Sequence, residues 1–103
     1  MEGTELVAFN IIANVGTARS CYIGAIDAAA EGNYEEAEKM IEEGKEAFNG
    51  GHNAHHDMLT AMANGEKIEM TLLLTHAEDQ LMSAEAFGIL AEKFVALYKK
   101  VNG

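Results

Sequence analysis

Proline and tryptophan are missing altogether from this 103-residue chain, and cysteine occurs once, as Cys21. Without proline no segment is barred from continuing a helix, and turns fall to glycine and asparagine. One cysteine excludes an intrachain disulfide, so burial must hold the fold, and the chain reads as cytoplasmic, where thiols stay reduced. Positive charge is scarce as well: 7 basic residues face 17 acidic ones, for a formal charge of −10. That balance disfavours nucleic acid and anionic membranes and suits a solvated acidic surface or a basic protein partner. Neither a signal-peptide pattern nor an unbroken apolar run near the roughly 20 residues of a membrane span is seen, so no direct membrane insertion is expected.

What is present is helical material. Apolar residues make up 49% of the chain, with alanine, glutamate, leucine and methionine prominent, the composition of long uninterrupted helices. The length fits one small domain, residues 1–103, in which association would add useful burial. Residues 4 to 31 predict a first helix, with Leu6, Phe9, Ile12, Ala13, Gly16, Ile23, Ile26 and Ala30 recurring at spacings near three and four. Gly32-Asn33 breaks it. Asn33 and Glu36 form a capping-box pattern, so a second helix opens at Tyr34, carries Ala37, Met40, Ile41, Phe48, Met58, Leu59 and Met62, and ends at Asn64-Gly65. The third runs from about Thr71 to Val101, with Lys99 and Lys100 at its negative end. The expected fold is all-α, an antiparallel up-down-up three-helix bundle.

Two features strain that scheme. Asn49-Gly50-Gly51 sits inside helix 2, where each glycine costs about 1 kcal/mol relative to alanine, so a kink or break is one expectation there. Helix 3 is apolar over more than one face, since Leu73, Leu74, Ala77, Leu81, Phe87, Leu90, Ala91, Phe94, Val95, Leu97, Tyr98 and Val101 cannot all meet two partner helices. Cover from other subunits follows, with helix 3 at the centre of an oligomer.

The residues with chemistry lie in Leu72-Leu-Leu-Thr-His-Ala-Glu-Asp-Gln-Leu-Met82. On a helix Asp79 shares a stripe with Leu72, Thr75, Met82, Ser83, Ala86 and Leu90, and His76 lies roughly 60° round from it. A carboxylate in an apolar seam needs a partner. Convergence of several copies on a symmetry axis, with a shared cation or proton, is one resolution, and a hydrogen-bonded place at the seam's edge is the other. His76 stands in about the second turn, where helical amides and the positive end of the dipole favour an anion. Histidine is a nucleophile near neutral pH, so phosphoryl capture suits the position, with Thr75 and Gln80 as candidate donors. A packing or surface histidine fits the same pattern. His52, His55 and His56 have spacings compatible with zinc but no evident fourth ligand, and they fit a solvated face as well. Glu35, Glu36, Glu38, Glu42 and Glu43 read as an exposed helix face.

Four segments together resemble a known family. Asn14-Val-Gly-Thr-Ala-Arg-Ser20, Glu31-Gly-Asn-Tyr-Glu-Glu-Ala37, Gly65-Glu-Lys67 and the Leu72 to Met82 run are similar to signatures of the IIA component of the lactose/cellobiose (and chitobiose) class of the bacterial phosphoenolpyruvate-dependent sugar phosphotransferase system. The resemblance implies a homotrimer in which His76 accepts a phosphoryl group from phosphorylated HPr and passes it to a cysteine of a IIB component. It also implies that Asp79 meets its symmetry mates at the trimer axis around a divalent cation, magnesium by expectation. Where the family motif usually reads His-Ala-Gln-Asp-His, this chain has His-Ala-Glu-Asp-Gln, so Glu78 and Gln80 depart from it. A non-catalytic trimeric binding or regulatory module of the same descent is the alternative those two residues raise, and a histidine-rich metal-binding bundle is a third.

Overall fold

The computed structural model describes residues 3–102, which form three helices: α1 (Gly3–Ala30), α2 (Tyr34–Ala63) and α3 (Leu72–Asn102). The two turns use one device. Gly32 and Gly65 take φ values of +81° and +93°, and the flanking amides close Schellman-type bonds: Gly32 N to Ala29 O at 3.0 Å with Asn33 N to Ala28 O at 2.8 Å, then Gly65 N to Met62 O at 3.0 Å with Glu66 N to Ala61 O at 3.1 Å. Only glycine adopts that backbone cheaply. The expected capping box at Asn33 is not formed. The Asn33 side chain makes no cap hydrogen bond; its backbone carbonyl instead accepts from Ala37 N at 3.0 Å.

Cross-helix contacts fix the topology. Tyr22 meets Gly44 and Val15 meets Gly51, so advancing along α2 means retreating along α1. Lys45 pairs with Glu92 and Lys99 with Glu38, which makes α2 and α3 antiparallel as well. Tyr22 also lies against Gly88 of α3. The result is an up-down-up rod with extents of 54 × 23 × 19 Å.

The core follows a heptad-like 3-4 spacing, the mark of nearly parallel helix axes. On α1 it comprises Ala8, Ile11, Val15, Ala18, Tyr22, Ala25 and Ala29, and on α3 Leu74, Ala77, Leu81, Ala84, Ala91 and Val95. This corrects the reading of helix 1, because Leu6, Phe9 and Ile23 are exposed. Close helix approach favours small side chains, alanine at four of the seven core positions of α1, while Leu6, Phe9 and Ile23 are left outside. By length and composition α1 would pass for a membrane span, but its apolar stripe forms the core of the bundle. The glycine pair of helix 2 neither breaks nor kinks the element out of helical assignment. A Cβ on Gly51 would lie 2.8 Å from Val15 Cγ1, and one on Gly50 2.9 Å from the Asn14 side chain, so these positions let α1 and α2 approach closely.

Candidate functional site: the first turns of α3

Thr71 sets the start of α3. Its hydroxyl accepts from Leu74 N at 3.1 Å and its carbonyl accepts from Thr75 N at 2.9 Å, the arrangement of a side-chain N-cap. Burial of Leu74 and Ala77 against α1 and α2 then fixes the rotation of the helix, and His76 between them is exposed. The Thr75 hydroxyl donates back to Thr71 O at 2.9 Å, so it must leave that bond before it can serve a ligand.

Two polar bridges flank His76, one to each neighbouring helix. The Glu78 carboxylate is half-buried and accepts a hydrogen bond from His55 Nδ1 on α2, with N···O distances of 2.6 and 2.8 Å to its two oxygens. The Gln80 carbonyl accepts from Arg19 Nη1 on α1, and the Arg19 guanidinium lies over the Phe87 ring, 5.2 Å from its centroid. Both residues that depart from the usual motif are therefore engaged inside the chain. Reading the sequence found neither partner. Arg19 is the only arginine, and its place in an otherwise apolar helix was the available signal; His55 offered none beyond its membership of the histidine cluster.

Asp79 stands apart from the packed side of α3. It is exposed, and of its stripe mates Leu72 is 87% exposed, Met82 67% and Leu90 50%, so the stripe packs against neither α1 nor α2. Within one chain there is no seam around it. Among the described residues no group of three or more His, Cys, Asp or Glu side chains gathers to hold a metal. The helix 2 histidines do not gather into such a group either: His55 pairs with Glu78, and His52 packs on Phe48 with ring centroids 5.9 Å apart. Asp79 contributes one carboxylate per chain, a donor set that fits a cation only if several copies converge.

Two concavities lie away from His76. A groove of about 500 Å³ runs between α2 and α3 over Ile41 and Val95, spanned by the Lys45–Glu92 and Lys99–Glu38 pairs. Another of about 440 Å³ lies between α1 and α2 near Asn10 and Met58. Small-molecule sites are concave and enclosing, whereas His76 stands on an open helix surface, the setting for a partner that brings its own walls.

Comparison with known proteins places this bundle in the sugar phosphotransferase system. Residues 6–99 match the family model for the lactose/cellobiose-specific IIA subunit of that system, and the chain belongs to this family. It is 38% identical over 101 residues to the lichenan-specific phosphotransferase enzyme IIA component of Bacillus subtilis, covering 98% of this chain and 92% of that one. The crystal structure of the cellobiose-specific enzyme IIA from Bacillus anthracis superposes with a TM-score of 0.96 at 38% identity, covering 99% of this chain and 94% of that one. The IIA(chitobiose) of the Escherichia coli N,N'-diacetylchitobiose branch, solved in complex with HPr, superposes with a TM-score of 0.77 at 28% identity over the whole of both chains.

Proposed function

We propose that this protein is a cytoplasmic phosphocarrier, acting as one domain over residues 1–103, in which His76 takes a phosphoryl group from phospho-HPr and hands it to a cysteine of a IIB component during uptake of lactose-, cellobiose- or chitobiose-type disaccharides. The observation that carries the reading is the exposed imidazole of His76, aimed outward by Leu74 and Ala77 and flanked by ordered polar bridges. In the transfer, a nitrogen lone pair of His76 forms the new bond to phosphorus. The bond from phosphorus to the donor breaks, and its electron pair stays with the donor. Gln80, one turn on, offers an amide donor to the phosphoryl oxygens, and Thr75 offers a hydroxyl once it releases Thr71. The HPr complex of the Escherichia coli relative supports HPr as the partner, and the formal charge of −10 suits a basic docking face.

The same reading makes the protein a homotrimer built on the outer face of α3, with Asp79 from three copies facing one another across the axis. A divalent cation such as Mg²⁺ would supply charge neutralisation there, a structural service to the assembly. The regulatory alternative drew its support from Glu78 and Gln80. Both are held within the chain, and His76 is left exposed to react.

Incubation with phosphoenolpyruvate, enzyme I and HPr should label the wild type with a phosphate lost in acid and kept in base. His76→Ala should abolish labelling with helical circular dichroism unchanged, because His76 packs no core. Labelling that survives this substitution would defeat the assignment.

A further inference from the structure

The contact between Arg19 and Gln80 has a chemical direction. A guanidinium can only donate, so the Gln80 side chain must turn its carbonyl toward α1 and keep its amide nitrogen, the donor end, away from Arg19. Arg19 itself is held from behind by the Phe87 ring, 5.2 Å from the guanidinium carbon, which limits the orientations the fork can adopt. Gln80 and His76 are one helical turn apart and so are surface neighbours. An amide left free to rotate would present its carbonyl to an anion on His76 part of the time, and that contact is repulsive.

We infer that Arg19 is a positioning residue for phosphoryl transfer: by holding the Gln80 carbonyl it presents the Gln80 NH₂ group to the phosphoryl group on His76. The inference rests on the carrier reading of His76. No proton moves at Gln80 or Arg19. The N–P bond forms on His76 as the bond to the donor breaks, and the Gln80 amide contributes one hydrogen bond to a phosphoryl oxygen throughout.

The test is a set of transfer rates from phospho-HPr, measured by rapid quench across donor concentrations, for wild type, Arg19→Ala, Gln80→Ala and the double variant. Arg19→Ala should lower the maximal rate about tenfold, the effect of one hydrogen bond to a charged group, with the half-saturating concentration of phospho-HPr unchanged. Gln80→Ala should do the same, and the double variant should be no slower than either single one. Should Arg19→Ala fail to fold, Arg19→Gln carries the measurement, because a glutamine there keeps much of the length but both donates and accepts and so cannot fix the amide. Gln80→Glu adds a check: the pairing with Arg19 persists, the donor is gone, and the rate should fall. An Arg19 variant with the wild-type maximal rate overturns the inference. So does a raised half-saturating concentration alone, which would mean a docking role, or losses that multiply in the double variant, which would mean that Arg19 acts without Gln80. A wild type that takes no label overturns the carrier reading itself, an outcome distinct from all of these.

Discussion

The two faces of α3 are apolar in opposite styles. Inward it presents Leu74, Ala77, Leu81, Ala84, Ala91 and Val95, three of them alanine. Outward it presents Leu72, Met82, Ile89, Leu90, Phe94, Leu97 and Val101, none of them small, with Val101 71% exposed. Size runs against burial because the inner face is selected for close approach of helix axes, where a larger side chain would hold the backbones apart. The outer face meets no such limit inside the chain. Its bulk is unaccounted for by the chain's own core; in the proposed trimer it would meet another subunit, where burial returns about 25 cal/mol for each Å² removed from water. In that proposed trimer one helix would serve two interiors.

Breaking the inner face should have the largest effect on stability. Leu74 is 1% exposed, and Leu74→Ala should cost about 3 kcal/mol in equilibrium unfolding, the sum of lost transfer energy and a cavity. A cost within experimental error would mean that the helices simply close in. Phe94→Ser, on the outer face, should leave helix content unchanged while weakening self-association about tenfold or more, as loss of a buried aromatic contact does; sedimentation equilibrium reads this directly. Unchanged association would separate the outer face from the assembly. The smallest and most diagnostic change is Asp79→Leu. It removes carboxylates that would otherwise converge, so association should hold or strengthen and any dependence on divalent cations should vanish. Weaker association in this variant would mean that the carboxylate serves the interface.

The elements were legible in the sequence because their signals are local. Gly32-Asn33 and Asn64-Gly65 fall where the apolar 3-4 spacing stops, whereas the Asn49-Gly50 pair lies inside it and leaves α2 unbroken, and that spacing needs no partner to be seen. Which stripe of α1 turns inward was not legible. Hydrophobicity points to Leu6, Phe9 and Ile23, whereas the bundle buries Ala8, Ala18, Ala25 and Ala29, and only the separation of two helix axes decides between them. Gly50-Gly51, a defect by propensity, is a contact surface for Val15 and Asn14. At the site, His76 stood out as a polar group in an apolar run. Its neighbours' partners did not: the Arg19 to Gln80 bond spans 61 residues and the His55 to Glu78 bond 23, and such pairings exist only once the helices are aligned.

Alignment itself depends on Tyr22. It is the one aromatic on the buried stripe of α1, and its ring fits where Gly44 and Gly88 have no side chain: a Cβ at Gly44 would come within 2.5 Å of the ring and one at Gly88 within 2.9 Å. A stripe of repeating small residues would tolerate sliding by a whole heptad at little cost. For α2 such a slip toward Gly51 would still meet a glycine, but for α3 it would set Leu81 or Val95 against the ring. The ring and its two vacancies therefore work as an index mark that leaves one axial setting of the bundle. That setting places Arg19 opposite Gln80 and His55 opposite Glu78, so the order around His76 is chosen two turns and more away from it.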